Sequence, residues 1–223
     1  MSIAVTKGKI SRTGSDLVSN SEDLLTASVF GLIRYLPAEI LLIPILGRAK
    51  NIDGETLQIG NNIKDDSIHF DFWPPLEYSE PDIKIDLGNN HAIFIEAKFY
   101  SGKSGGGEKD QLYRQYQDLC KVNSDSGSII YLTKGRIIPE AEILESVKAV
   151  GDFGDDLDPI DFQNNTYWLS WFDIWEICKS KTPESIFQKR IITDICELLE
   201  RLGLKHFTGF SDIHEVEYEK ETN

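Results

Sequence analysis

The stretch Pro81-Asp82-Ile83-Lys84-Ile85-Asp86-Leu87-Gly88-Asn89-Asn90-His91-Ala92-Ile93-Phe94-Ile95-Glu96-Ala97-Lys98 decides the fold. From Ile83 to Leu87, and again from Ile93 to Phe99, apolar residues take every second position, the period of a strand with one buried face. Gly88-Asn89-Asn90 supplies the turn between them. The pattern predicts a β-hairpin with Ile83, Ile85, Leu87, Ile93, Ile95, Ala97 and Phe99 facing the core. Asp82, Lys84 and Asp86 share the opposite face of the first strand, as Glu96 and Lys98 do on the second.

The register follows from the same alternation. If both apolar faces enter one core, paired residue numbers sum to an even value, because a slip of one would place Glu96 among the isoleucines. A three-residue loop then sets Asp82 opposite Glu96, and a five-residue loop sets Asp82 opposite Lys98. In both, Asp82, Glu96 and Lys98 converge. Asp86 falls opposite Ala92 or Phe94, roughly 7 Å or more from Glu96 at about 3.3 Å per residue, so Asp82 is the site aspartate.

Two carboxylates and an ammonium on one polar face suit a hard divalent cation and phosphodiester cleavage. Carboxylate oxygens hold Mg²⁺, which lowers the pKa of a bound water and neutralises charge developing on the phosphate. Pro81-Asp82, a gap, then Glu96-Ala97-Lys98 resembles the PD-(D/E)xK nuclease motif. The resemblance implies metal ligation by Asp82, Glu96 and the Ala97 carbonyl, with Lys98 serving the attacking water and Mg²⁺ or Mn²⁺ as cofactor. The plainer alternative is an edge hairpin carrying a surface ion pair.

Two flanking pieces extend the resemblance. Ser19-Asn20-Ser21-Glu22 opens a helix running to about Leu36. Glu22 is either the far half of a capping box with Ser19 or an inward carboxylate on the stripe continued by Leu25, Val29, Ile33 and Leu36. In the nuclease family a glutamate on the helix before the sheet often completes the metal site, which assigns that role to Glu22. Residues 108–123 form a helix resembling the glutamine-bearing helix after the catalytic strand, with Gln111 as the supporting residue. Arg114 and Gln115 contact phosphate or are solvated.

The chain has 223 residues, 40% hydrophobic and 27% charged, which fits one soluble domain with a substantial core. The longest apolar run, Ile40 to Leu46, contains Pro44 and is too short to span a membrane. No signal-peptide pattern opens the sequence, so a cytoplasmic location is expected. Cys120, Cys178 and Cys196 are widely spaced and read as buried small hydrophobes rather than a disulfide framework or zinc site. Ser101-Gly102-Lys103-Ser104 is not a phosphate loop, because that pattern needs a glycine where Ala97 stands. Its glycines read as a mobile loop beside the site.

The net charge of -14 opposes nucleic-acid binding, which is largely electrostatic. Residues 98–136, however, hold seven basic residues against four acidic ones, a balance of +3 that leaves the remainder at -17. That acidity points to an oligomer or a basic partner for tight DNA binding, and the resemblance implies a homo-oligomer or a protein partner of a defence or repair complex. Residues 1–18 read as a polar arm, 19–210 as one nuclease-like domain and 211–223 as an acidic tail. Trp168, Trp171 and Trp175 read as core.

The element order, helix, helix, strand, hairpin, helix, strand, helix, strand, helix, indicates an α/β fold with a mixed central β-sheet flanked by helices, in line with the restriction-endonuclease-like core that the resemblance implies. The expected activity is Mg²⁺-dependent hydrolysis of DNA. The competing expectation is a non-catalytic subunit that keeps the fold as a binding module.

Overall fold

In the computed structural model, which describes residues 21–60, 63–88, 91–99, 102–122, 126–154 and 156–206, the hairpin takes the register of the shorter loop. Strand β2 (Ile83–Asp86) pairs antiparallel with β3 (His91–Ala97), Ile83 opposite Ile95 and Asp86 opposite Ala92. Gly88 turns the chain at φ 76°, and a Cβ there would lie 2.4 Å from Cβ of Ser67. Only glycine meets both demands without strain.

Strand β1 (His69–Phe72) adds antiparallel to the free edge of β2. On the other side β3 pairs parallel with β4 (Ser126–Thr133), and β4 with β5 (Thr166–Ser170). The sheet is therefore mixed, in the order β1-β2-β3-β4-β5. A parallel pair needs a crossover, and α3 (Gln111–Val122) supplies the first. Helices α4 (Glu140–Phe153) and α5 (Pro159–Asn164) supply the second.

Those crossovers change the expected burial of β3. Its core face carries Ile93, Ile95 and Ala97, joined by Ile130, Leu132 and Leu169 against α1 (Ser21–Ile33), α2 (Leu42–Leu46), α6 (Trp171–Ser180) and α7 (Ile186–Arg201). Its second face carries Ala92 and Phe94, packed with Ile129, Tyr131 and Trp168 under Leu112, Tyr116, Ile143 and Phe162. So β3 is buried on both faces, as central strands of parallel character are. Glu96 and Lys98 continue that second face.

Two local signals set helix limits. The apolar run Ile40 to Leu46 is helical only over Leu42–Leu46, because Pro44 has no N–H to bond Ile40 and its ring opposes the preceding turn. The acidic stretch 151–161 holds the end of α4 and the start of α5. There the Asp158 side chain accepts from Ile160 N at 2.9 Å and Pro159 takes the first helical position. Cys178 and Cys196 are buried, whereas Cys120 is exposed. Among the described residues no helix is long and apolar enough to cross a membrane. The polar arm, Ser19 and its capping partnership, Asn89-Asn90 and the acidic tail lie outside the described residues.

Candidate active site

The ladder of the hairpin stops one step after Ile83, and Asp82 stops it. Its Oδ2 accepts the Ala97 N–H at 2.7 Å and its Oδ1 accepts the Trp73 indole N–H at 3.0 Å. Trp73 stands at φ 48°, the one positive-φ residue other than glycine among those described. That conformation costs about 1–2 kcal/mol and turns the indole at the end of β1 onto the carboxylate. Continuing the register places Pro81 opposite Ala97. Proline has no N–H, so β2 offers the Ala97 carbonyl no ladder donor.

Glu96, opposite Asp82 by the same register, is 1% exposed. Its Oε1 lies 2.6 Å from Lys98 Nζ, and its Oε2 accepts from Gln115 Nε2 at 2.5 Å. Lys98 Nζ is also 3.6 Å from Glu22 Oε1, while Glu22 Oε2 accepts the Phe99 N–H at 2.6 Å. The Trp171 indole N–H donates to the Lys98 carbonyl at 3.3 Å from the other side of the sheet. Five elements thus meet at one point: α1, the β1 end, both hairpin strands and α3.

Asp82, Glu96, Lys98 and Glu22 come together, and Gln111 does not join them. Gln111 lies one turn away, where its Oε1 accepts from Ser104 Oγ at 3.0 Å. The glutamine at the site is Gln115, fully buried. The helix period carries the signal for it: Leu112, Tyr116 and Leu119 are all buried, and Gln115 lies three residues from the first and four from the last. Asp23, next to Glu22, adds its negative charge to the surroundings of Asp82.

One further expectation changes and one holds. Lys103, placed in a mobile glycine loop, has a side chain 3% exposed, paired with Asp110 at 2.5 Å. It also donates to the Glu142 carbonyl at 2.7 Å and to Ser146 Oγ at 2.8 Å. This buried anchor pins the loop to α3 and α4. Trp168, Trp171 and Trp175 are core residues, none more than 8% exposed.

The electrostatics are dominated by burial. Burial first, and the Glu96 charge second, raise the Asp82 carboxyl well above its ordinary range. Burial likewise raises Glu96, against the pull of Lys98 and the Gln115 hydrogen bond. For Lys98, burial pushes the ammonium pKa down, but Glu96, Glu22 and Asp82 together outweigh it and the net direction is up. Three carboxylates share one ammonium, so ionising all of them leaves negative charge without a counter-charge.

That donor set fits a hard divalent cation. As the side chains stand, no group of three or more His, Cys, Asp or Glu among the described residues is arranged to hold a metal ion. The oxygens that fit are two carboxylates, Asp82 and Glu96, and the Ala97 carbonyl. Gln115 Oε1 adds a buried acceptor with no hydrogen-bond donor. All are hard oxygen donors of the kind Mg²⁺ or Mn²⁺ takes alongside retained waters.

An uncharacterized protein of Pasteurella multocida is similar to this chain, 27% identical across 91% of it and 80% of the relative. No family model and no solved structure matches.

Proposed function

We propose that this protein is a divalent-metal-dependent nuclease that hydrolyses DNA phosphodiesters, built on a restriction-endonuclease-like core. The observation that carries the reading is the convergence of buried Asp82 and Glu96 with Lys98 where the hairpin ladder ends. Asp82, Glu96 and the Ala97 carbonyl would hold Mg²⁺ or Mn²⁺. Bound there, the cation neutralises charge on the phosphate and acidifies a water. Gln115 and Lys98 fix the Glu96 carboxylate from either side. Lys98, held between Glu96 and Glu22, orients the attacking water and donates to a phosphate oxygen as its charge grows. Glu22 holds Lys98 and the Phe99 N–H in place. The reading fits a cytoplasmic enzyme of restriction, phage defence or DNA repair, acting as a homo-oligomer or with a partner that recruits it.

The test is cleavage of linear and circular double-stranded DNA in Mg²⁺ or Mn²⁺ by wild type, Asp82→Ala and Lys98→Ala. Cutting by wild type alone is expected, with loss of circles marking endonuclease action. Persistent cutting by folded Asp82→Ala would overturn the assignment. The net charge of -14 favours a second reading, a non-catalytic binding module. A Mn²⁺ titration separates the two: a nuclease site binds the ion at micromolar to millimolar concentrations and loses it in the Asp82→Ala, Glu96→Gln double variant.

A further inference from the structure

A cleft of about 320 Å³ opens at the carboxyl ends of the parallel strands, lined by Arg48, Lys50, Arg136, Ser170, Phe172 and His206, with Trp168 and Asp173. Asp173 is the one carboxylate among its described lining residues. The sheet fixes its position relative to the candidate site. Ala97 pairs with Leu132 and Leu132 with Leu169, and Thr133 pairs with Ser170. Lys98 and Ser170 therefore lie in one row, two strand spacings or about 10 Å apart. Beyond β5, Lys50 bridges to Trp168, one spacing further out.

The cations along this edge are held in place rather than loosely tethered. Lys134 sits 4.6 Å over the Phe99 ring, next in sequence to Lys98. The Arg136 guanidinium lies 4.1 Å over the Phe172 ring while one of its nitrogens donates to the Lys205 carbonyl at 3.4 Å. Stacking of this kind orders the guanidinium and leaves other N–H groups pointing outward. Arg48 is different: it is neutralised by Glu176 at 2.6 Å and Asp173 at 3.8 Å. Lys50, Lys134 and Arg136 are exposed and form a positive line on a chain whose net charge is -14.

We propose that Lys134, Arg136 and Lys50 form a track for the phosphate backbone of the nucleic acid that the candidate site would cut, running from Lys98 across the ends of β4 and β5. The proposal rests on the nuclease reading. Its length favours a polymer over a single phosphate: three strand spacings make about 14 Å, and at about 3.4 Å per nucleotide along one strand this spans about four phosphates. Nothing in the line reads bases, so the track gives affinity and orientation without sequence choice.

The experiment is fluorescence anisotropy of a labelled duplex in EDTA, where no cutting competes, across a series of salt concentrations. The triple variant Lys50→Gln, Lys134→Gln, Arg136→Gln is compared with wild type and with Lys64→Gln, Lys148→Gln, Lys189→Gln, which removes the same charge outside the cleft. The cleft variant is expected to flatten the slope of log affinity against log salt by about 2–3, at about 0.9 for each phosphate no longer neutralised, while the control keeps the wild-type slope. Lys50→Gln alone, whose side chain stacks on no ring among the described residues, flattens it by about 1 and covers any misfolding of the triple variant. Equal loss in the control, or no change in a folded cleft variant, overturns the track. Because Asp82, Glu96 and Lys98 are untouched, the cleavage assay then still judges the nuclease reading by itself. Polyaspartate of matched charge should displace the duplex poorly; equal displacement would overturn the backbone assignment in favour of an acidic protein surface.

Discussion

Replacing Asp82 by Asn is expected to change how stability depends on pH. Asp82 is 9% exposed, and burial followed by the Glu96 charge holds its carboxyl well above the ordinary range. In chelator-treated protein the folded state keeps that proton to a higher pH than the unfolded chain does. Between the ordinary carboxyl pKa, about 4, and the raised one, the folded state binds more protons, so stability falls as pH rises across the window. The steepest slope for one group is about 1.4 kcal/mol per pH unit. At about 2–4 °C per kcal/mol for a chain of this size, that is a melting-temperature loss of about 3–6 °C per unit. The substituted amide does not titrate. It can accept from only one of Trp73 Nε1 and Ala97 N, at a cost of about 1–2 kcal/mol that does not vary with pH. The expected result is a variant less stable than wild type near the bottom of the window that gains on wild type as pH rises, the difference levelling off above the raised pKa. Thermal melts by circular dichroism in EDTA, at half-unit steps from about pH 4.5 to 8.5, measure it. Parallel profiles would refute the claim that the Asp82 charge is uncompensated. Adding Mg²⁺ at ten times its Kd should return about 1.4 kcal/mol to wild type in the upper part of the range and nothing to the variant.

Gln115→Ala should lower the cleavage rate about 10- to 100-fold, as loss of a group that orients a metal ligand does, whereas Gln111→Ala changes it less than about twofold; initial rates on folded variants decide. Lys103→Met strands the buried Asp110 carboxylate and should cost about 3–5 kcal/mol in urea denaturation, and an unchanged midpoint would show that the anchor contributes nothing. Gly88→Ala forces a side chain into Ser67 at φ 76° and should destabilise by about 1–3 kcal/mol, read by the same method.

The hairpin is legible because a period of two and one fixed apolar face leave few registers, and any of them gathers Asp82, Glu96 and Lys98. The burial of the second face of β3 is also written there, in Ala92 and Phe94 on the side that carries Glu96. Gln115 is passed over because the resemblance of this helix points to Gln111, while the helix face defined by Leu112, Tyr116 and Leu119 identifies the inward residue directly. Lys103 cannot be read from its neighbours, since its burial depends on the Glu142 carbonyl and Ser146, brought from another helix. Asp158-Pro159 is a helix start concealed within an acidic run, and Pro44 a helix limit concealed within an apolar one. In each case the local pattern is present, and which surface covers it is set by distant chain.

The strands lie across the sheet in the order in which they are synthesised. Each new strand docks on the open edge of the one before it, and none has to be threaded between two that are already paired. Asp82 and Glu96 first face each other in a local hairpin still open to water, where their repulsion is weak. Desolvation follows when the helix bearing Gln115 folds over one face and Trp171 arrives beneath the other. Those steps require the long parallel crossovers, which close slowly. On that order of assembly the energetic burden of the carboxylate pair would fall on the last stages of folding, after the geometry that the pair needs has been set, and a Glu96→Gln variant should then change unfolding more than folding rates.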